Sequence, residues 1–169
     1  MKIIMVMVQT ADGKVAKNPD ETVDWSCPED KLHFKRVTTR AGVVIMGRKT
    51  FSTLKKPLAQ RLNLVLTGNP ENYENIPGKV EFMKGEPRQI VEHLEKRGYK
   101  TAILAGGVAT NVKFLEAQLV DQIAITQENL IFGQGVGFCD GLNRNLRLKL
   151  LKLEYLNRDV ILLNYKVIY

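Results

Sequence analysis

The chain has 169 residues, 44% hydrophobic and 25% charged, with 25 Lys and Arg against 18 Asp and Glu for a net charge of +7. That balance excludes a disordered polyelectrolyte, and no apolar run approaches the ~20 residues of a membrane-spanning helix, so one soluble domain over residues 1–169 with no membrane partner is expected. Two cysteines, Cys27 and Cys139, cannot build a disulfide framework, and two histidines without a C-x-x-C give no zinc constellation; a reducing, cytoplasmic setting without a metal is the expectation. The cations come in scattered pairs such as Lys35-Arg36, Lys55-Lys56 and Lys96-Arg97, without interleaved aromatics. They read as a solvated surface rather than a nucleic-acid platform, and the charge suits an anionic small molecule.

In chain order, Met1-Lys2-Ile3-Ile4-Met5-Val6-Met7-Val8 lacks the cationic head and cleavage site of a signal peptide and predicts a first strand at 3–8. Ser26-Cys27-Pro28-Glu29 reads as a capping box with Ser26 as the cap, opening a helix to about Arg40 that Gly42 stops. A strand at 43–46 and a short helix at 49–54 follow, then a strand at 62–66, a polar loop at 69–79 and a strand at 80–83. Glu86-Pro87 opens a helix with Ile90, Val91 and Leu94 on one face and Gly98 as its stop. A strand at 102–104, a helix near 109–118 and a strand at 122–125 come next. Short, continuously apolar strands alternating with helices predict an α/β fold, a mainly parallel sheet covered on both faces. The runs 149–155 and 160–169 flank Leu156-Asn157-Arg158, which predicts an antiparallel hairpin closing one sheet edge.

Two strand ends run into glycine and then a helix: Met46-Gly47-Arg48-Lys49-Thr50, and Ala105-Gly106-Gly107. Free N–H groups at such junctions suit an anion, and Arg48 and Lys49 add cations, although turn glycines are the plainer alternative. Neither G-x-x-x-x-G-K-[ST] nor G-x-G-x-x-G is present. Asp30 shares a helix side with Cys27, Lys31, Phe34, Thr38 and Ala41. A carboxylate there either favours the helix dipole or handles a proton in an apolar pocket, which Trp25 would wall unless it is merely core. Arg61 is read as a surface charge at a strand entrance or as a fork for a substrate carboxylate. Cys27 and Cys139 lack an activating histidine, and His33 and His93 belong to no elbow motif, so hydrolysis is not expected.

Taken together, Trp25-Ser26-Cys27-Pro28-Glu29-Asp30, Phe34-Lys35-Arg36-Val37-Thr38, Val44-Ile45-Met46-Gly47-Arg48-Lys49-Thr50-Phe51, Lys56-Pro57-Leu58, Arg61-Leu62-Asn63-Leu64-Val65-Leu66-Thr67, Gly106-Gly107 and Phe114-Leu115 resemble the dihydrofolate reductase family over almost the whole chain. The resemblance implies a single domain with an eight-stranded sheet and an antiparallel C-terminal edge. It also implies reduction of 7,8-dihydrofolate to tetrahydrofolate with NADPH, by a monomer or homodimer. Asp30 would bind the pterin and support protonation of N5, Thr126 would hydrogen-bond Asp30, and Trp25 would sit beside them. Val8, Phe34, Leu54 and Leu58 would line the substrate trough, with Arg61 on the glutamate carboxylate. For the cofactor, Val8 and Val15 would flank the nicotinamide, and Gly47, Arg48, Lys49 and Thr50 would hold phosphate. Thr67 and Lys84 match adenosine-side positions, and Ala105, Gly106, Gly107, Val108, Ala109 and Thr110 would wrap the pyrophosphate. The segment 11–24 would be the mobile loop over the nicotinamide.

Three positions depart from that pattern: Lys31 where relatives have an apolar residue touching folate, Asn111 in place of an aromatic, and Ala105. The stretch from Gly106 to Asp121 also resembles the reductase domain of riboflavin biosynthesis. That resemblance implies the same fold and NADPH with a ribosylaminopyrimidine phosphate as substrate, for which Lys31 would be a phosphate ligand.

Overall fold

The computed structural model describes residues 1–18 and 23–169. Eight strands form one sheet: β1 (Lys2–Gln9), β2 (Val43–Gly47), β3 (Leu62–Leu66), β4 (Val80–Met83), β5 (Thr101–Leu104), β6 (Gln122–Gln127), β7 (Arg147–Tyr155) and β8 (Ile161–Ile168). Their order is β4-β3-β2-β5-β1-β6-β8-β7. The strands from β4 to β6 are parallel, while β8 runs antiparallel to β6 and β7 antiparallel to β8. Among the described residues there are four α-helices, α1 (Pro28–Ala41), α2 (Arg48–Ser52), α3 (Pro87–Lys96) and α4 (Val108–Glu116), and a 3-10 turn at Pro70–Asn72 in the loop 69–79. Among the described residues, no helix is long and apolar enough to cross a membrane.

Strands read from apolar runs extend further at several ends, through Lys2, Gln9, Gly47, Thr101, Thr126 and Gln127. Hydropathy marks burial, whereas pairing needs only backbone groups, so ladders outrun their apolar centres. On one face Ile3, Met5, Ile45 and Leu64 pack beneath Ile90 and Leu94 of α3 and Phe114 and Leu115 of α4. On the other, Val6, Ile103, Ala124 and Leu162 meet Phe34 and Val37 of α1. Val44, Met46 and Val65 meet Phe51, Leu54 and Leu58 further along that sheet.

The start of α1 corrects the sequence reading. Cys27, not Ser26, is the cap: its backbone is extended and its Sγ accepts from the Asp30 N–H at 3.4 Å. Proline disfavours a helical conformation in the residue before it, so Pro28 fixes itself as the first helical residue and Cys27 as the last non-helical one. The Ser26–Glu29 spacing is therefore one residue out of register for a capping box. Gly42 ends the helix as expected, with φ +76° and its N–H on the Thr38 and Thr39 carbonyls.

One polar side chain holds the strand β3 entrance. Asn63 is fully buried; it accepts from the Leu58 N–H at 3.0 Å and donates to the carbonyls of Leu58 and Lys79, each at 2.9 Å. Leaving such buried groups unpaired costs about 1–3 kcal/mol each. Asn63→Ala should therefore lower the unfolding free energy by about 2–4 kcal/mol, read as a fall in the urea midpoint with an unchanged slope. A midpoint equal to wild type would contradict this role for Asn63.

Candidate active site

Glycine-lined and apolar clefts adjoin at the C-terminal ends of the parallel strands, where open α/β sheets leave a crevice. The first holds about 480 Å³ and is lined by Gly47, Arg48, Lys49 and Thr50 on one side and Ala105, Gly106, Gly107, Val108, Ala109 and Thr110 on the other. The second, about 390 Å³, is lined by Val6, Val8, Ser26, Asp30, Lys31, Phe34, Leu54 and Leu58. Met7, Val15, Val23, Thr50, Thr53 and Ala105 belong to both. A third, of about 470 Å³, takes Thr67 and Lys84 and shares Ala109 and Thr110 with the first.

The glycines in the first cleft are needed for space. A Cβ on Gly47 would lie 2.9 Å from Thr110 Oγ1, and one on Gly107 would lie 3.1 Å from Thr50 Oγ1. Gly106 has φ +92°, a conformation that side chains with a Cβ rarely adopt. Backbone thus lines the cleft bare of side chains, with two hydroxyls and the exposed cations Arg48 and Lys49 around it. That surface suits a phosphate-bearing ligand.

In the second cleft Asp30 is 6% exposed, and among the described residues its carboxylate makes no hydrogen bond or ion pair. Parallel pairing sets Thr126 opposite Val8, but Thr126 Oγ1 is buried without a hydrogen-bond partner, so the expected Asp30–Thr126 bond is absent. Trp25 does not line this cleft. Its ring meets Phe132 edge-on at 5.1 Å, and its buried Nε1 also lacks a partner. Lys31 lines the cleft from an exposed position, its Nζ donating to the Asp24 carbonyl at 2.8 Å. Arg61 is neither a surface charge nor a lining residue of this cleft. It is 8% exposed, with Nε on the Ala59 carbonyl at 2.8 Å and Nη1 on Thr38 Oγ1 and the Lys35 carbonyl. Burial lowers its guanidinium pKa from the usual value.

Residues 19–22 of the expected loop 11–24 lie outside the described residues. Its residues 11–16 are tied to residues 130–136, a pairing with no local sequence signal. Ala11 N–H reaches the Leu130 carbonyl at 2.7 Å, Val15 N–H the Val136 carbonyl at 2.8 Å, and Asp12 accepts from Gly133 N–H at 2.8 Å. Sequence reasoning also missed Glu128. It is buried after β6 and accepts from the Cys27 N–H at 2.7 Å, joining the start of α1 to the sheet. A carboxylate three residues beyond the apolar run 122–125, close to the strand end, was the available signal. Asn111, one of the departures, is fully buried and donates to the Phe138 carbonyl at 2.8 Å.

The fold and its paired clefts define an α/β protein that can hold two ligands edge to edge at the ends of its parallel strands. The chain belongs to the dihydrofolate reductase family, whose model it matches over residues 2–139. It is 29% identical over 115 residues to dihydrofolate reductase HdrB of Haloferax volcanii, covering 66% of this chain and 58% of that one. Over 73 residues it is 37% identical to a bifunctional dihydrofolate reductase-thymidylate synthase of Paramecium tetraurelia, covering 43% of this chain and 15% of that one. The matches thus span less than two thirds of either relative. Among solved structures, dihydrofolate reductase from Enterococcus faecalis complexed with NADP(H) superposes with a TM-score of 0.73 at 21% identity, covering 98% of this chain and 96% of that one. A deaminase/5-amino-6-(5-phosphoribosylamino)uracil reductase from Thermotoga maritima gives 0.82 at 16% identity, covering 98% of this chain and 56% of that one.

Behind the second cleft, His33 is buried on α1, and Arg36 Nη2 lies 3.4 Å from its Nδ1. Burial and then Arg36 hold the imidazole below its ordinary value, against Asp30 and Glu154, which act the other way. A histidine that titrates lower when folded favours the neutral form. Its contribution is complete above the unfolded value of about 6.5 and is lost as pH falls toward the folded value. The unfolding free energy of the wild type should therefore fall more steeply below pH ~6.5 than that of His33→Gln. Parallel pH profiles for the two chains would contradict this.

Proposed function

We propose that the chain reduces 7,8-dihydrofolate to 5,6,7,8-tetrahydrofolate, with NADPH in the glycine-lined cleft and the pterin beside Asp30. The observation that carries this reading is Asp30 itself: a buried carboxylate without a partner among the described residues, in an apolar cleft that shares a wall with a phosphate-type cleft. Family membership and the likeness to reductases of the same fold support it.

Gly47, Arg48, Lys49 and Thr50, with residues 105–110, would hold the phosphates, and Thr67 and Lys84 the adenosine side. Bare backbone and flanking cations fit that group. When bound, NADPH supplies a hydride to pterin C6. Asp30 accepts hydrogen bonds from the pterin ring and supports delivery of one proton to N5, so the product gains a hydride and a proton. Phe34, Leu54 and Leu58 exclude water and orient the rings by apolar contact. Thr126 Oγ1 and Trp25 Nε1, two of the buried polar atoms without a partner, stand outside the cleft lining and would join the site through ordered water. Arg61 takes the glutamate carboxylate, its guanidinium already held by Thr38 and the Ala59 carbonyl.

A second reading has its own observation. Lys31 brings a cation to the mouth of the substrate cleft, which suits the phosphate of a ribosylaminopyrimidine. The two readings separate in one assay, NADPH oxidation with either compound as acceptor. Dihydrofolate-dependent turnover is expected, and turnover with the ribosylaminopyrimidine phosphate alone would replace the first reading by the second.

Asp30→Asn should lower turnover with dihydrofolate by about 10²–10⁴ while NADPH still quenches the fluorescence of the single tryptophan, Trp25. Unchanged turnover would remove Asp30 from the chemistry. Arg61→Ala should raise the KM for dihydrofolate roughly 10- to 100-fold, as loss of a charge-assisted pair does, with NADPH affinity unchanged. An equal loss with a substrate lacking the glutamate would contradict the clamp.

A further inference from the structure

Strand β7 ends the sheet, and its side chains are sorted in a way that strict alternation does not produce. The sequence Arg147-Leu148-Lys149-Leu150-Leu151-Lys152-Leu153-Glu154-Tyr155 changes phase in the middle. Alternation alone would put Leu148 and Leu150 on one face and Leu153 and Tyr155 on the other. A register shift between Leu150 and Lys152 inserts Leu151 as an extra residue. Leu148, Leu150, Leu153 and Tyr155 therefore pair with Val167, Tyr165, Leu163 and Ile161, which share one face of β8. Arg147, Lys149, Lys152 and Glu154 pair with Ile168, Lys166, Asn164 and Leu162 on the opposite face.

The resulting apolar stripe is open to solvent. Leu148 is 40% exposed, Leu150 51%, Leu153 47% and Tyr155 74%, with Leu151 at the bulge 47% exposed. The core beneath β1 and β6 is closed on this side by α3, α4, Phe138, Leu142 and Leu146, and that cover does not bury β7.

We propose that the β7 stripe is the interface of a homodimer, with two copies packed face to face about a two-fold axis. Two features of the stripe select a second copy as the occupant. The first is charge: the charged side chains of β7, Arg147, Lys149, Lys152 and Glu154, lie on the opposite face, so the stripe meets itself without like-charge contact although the chain is +7. An isologous contact needs that self-compatibility. The second is area. The four large side chains of the stripe, exposed to this extent, present roughly 500 Å² per copy, so a pair covers about 1,000 Å², the size at which specific interfaces begin. Extension edge to edge is a worse solution, because the bulge interrupts the ladder and Lys149 and Lys152 guard the edge. Asp30 and α1 lie against the other face of the sheet, so this contact leaves the substrate cleft open.

The test is sedimentation velocity of the full chain across the micromolar range, wild type against the double variant Leu150→Glu/Leu153→Glu. Dimer mass for the wild type and monomer mass for the variant, with unchanged far-ultraviolet circular dichroism, is the expected result; the dissociation constant should rise at least 100-fold. Should that variant fail to fold, Tyr155→Lys at the exposed end of the stripe gives the same readout. A monomeric wild type overturns the proposal, and so does a variant that remains dimeric, since its interface then lies elsewhere.

Discussion

The attachment of the first turn of α1 to the end of β6 is the constraint on which the candidate site depends. A helix start leaves N–H groups without partners, and here three consecutive devices deal with them. Pro28 has no N–H, Cys27 Sγ accepts from Asp30, and the Glu128 carboxylate accepts from Cys27 across 101 residues of sequence. A negative group at this end also complements the helix dipole. The price of burying a carboxylate is offset by a charge-assisted bond with little room for alternatives. Asp30 therefore enters the cleft from a helix turn whose position is set by the same strand that carries Thr126 opposite Val8. Burial, with Glu128 nearby, pushes the Cys27 thiol up to about 11, so it remains a neutral cap and not a nucleophile.

Much of this architecture could be read from the sequence because its causes are local. Parallel strands buried on both faces need unbroken apolar runs, and helix ends need prolines and glycines at set offsets. Those signals predicted the order of all eight strands along the chain and the hairpin at its end. The Ser26 cap failed because two local rules competed, and proline's restriction on the residue before it outranks a capping-box spacing. What could not be read was set by contacts between distant segments. Glu128 on Cys27, Asp12 on Gly133 and the burial of Arg61 beside Thr38 leave no periodicity to detect. The β7 bulge was half visible: its phase change lies in the sequence, but only the pairing with β8 shows which residue is extra.

The candidate site itself divides along the same line. Glycines at two strand ends beside cations raise an anion site in the sequence, but turn glycines read the same way until the close approach of Thr50 and Thr110 to them is known. A lone carboxylate on a helix does not announce itself, because a dipole partner and a cleft acid look alike until burial is known. At 6% exposure, and with no partner among the described residues, Asp30 is poorly explained as a surface charge favouring the dipole. A buried ionisable group without a partner is costly, and such costs are tolerated where a ligand completes the environment.

Arg61 and Lys31 differ in kind, and that difference bears on what the second cleft would hold under the proposed reading. Arg61 is immobilised by Thr38 and by the carbonyls of Ala59 and Lys35, so its fork loses little further freedom on meeting a planar carboxylate. Lys31 projects from the first turn of α1 and, among the described residues, donates to the Asp24 carbonyl. A flexible ammonium of that sort suits a compact, highly charged group whose orientation matters less. Function resides in the side chains grafted on a fold, so the cations around the cleft bear on its ligand more than the sheet order does. In this chain the cation in the cleft lining is Lys31, while Arg61 stands outside it at 8% exposure; the proposed clamp depends on that held guanidinium reaching a carboxylate past the lining.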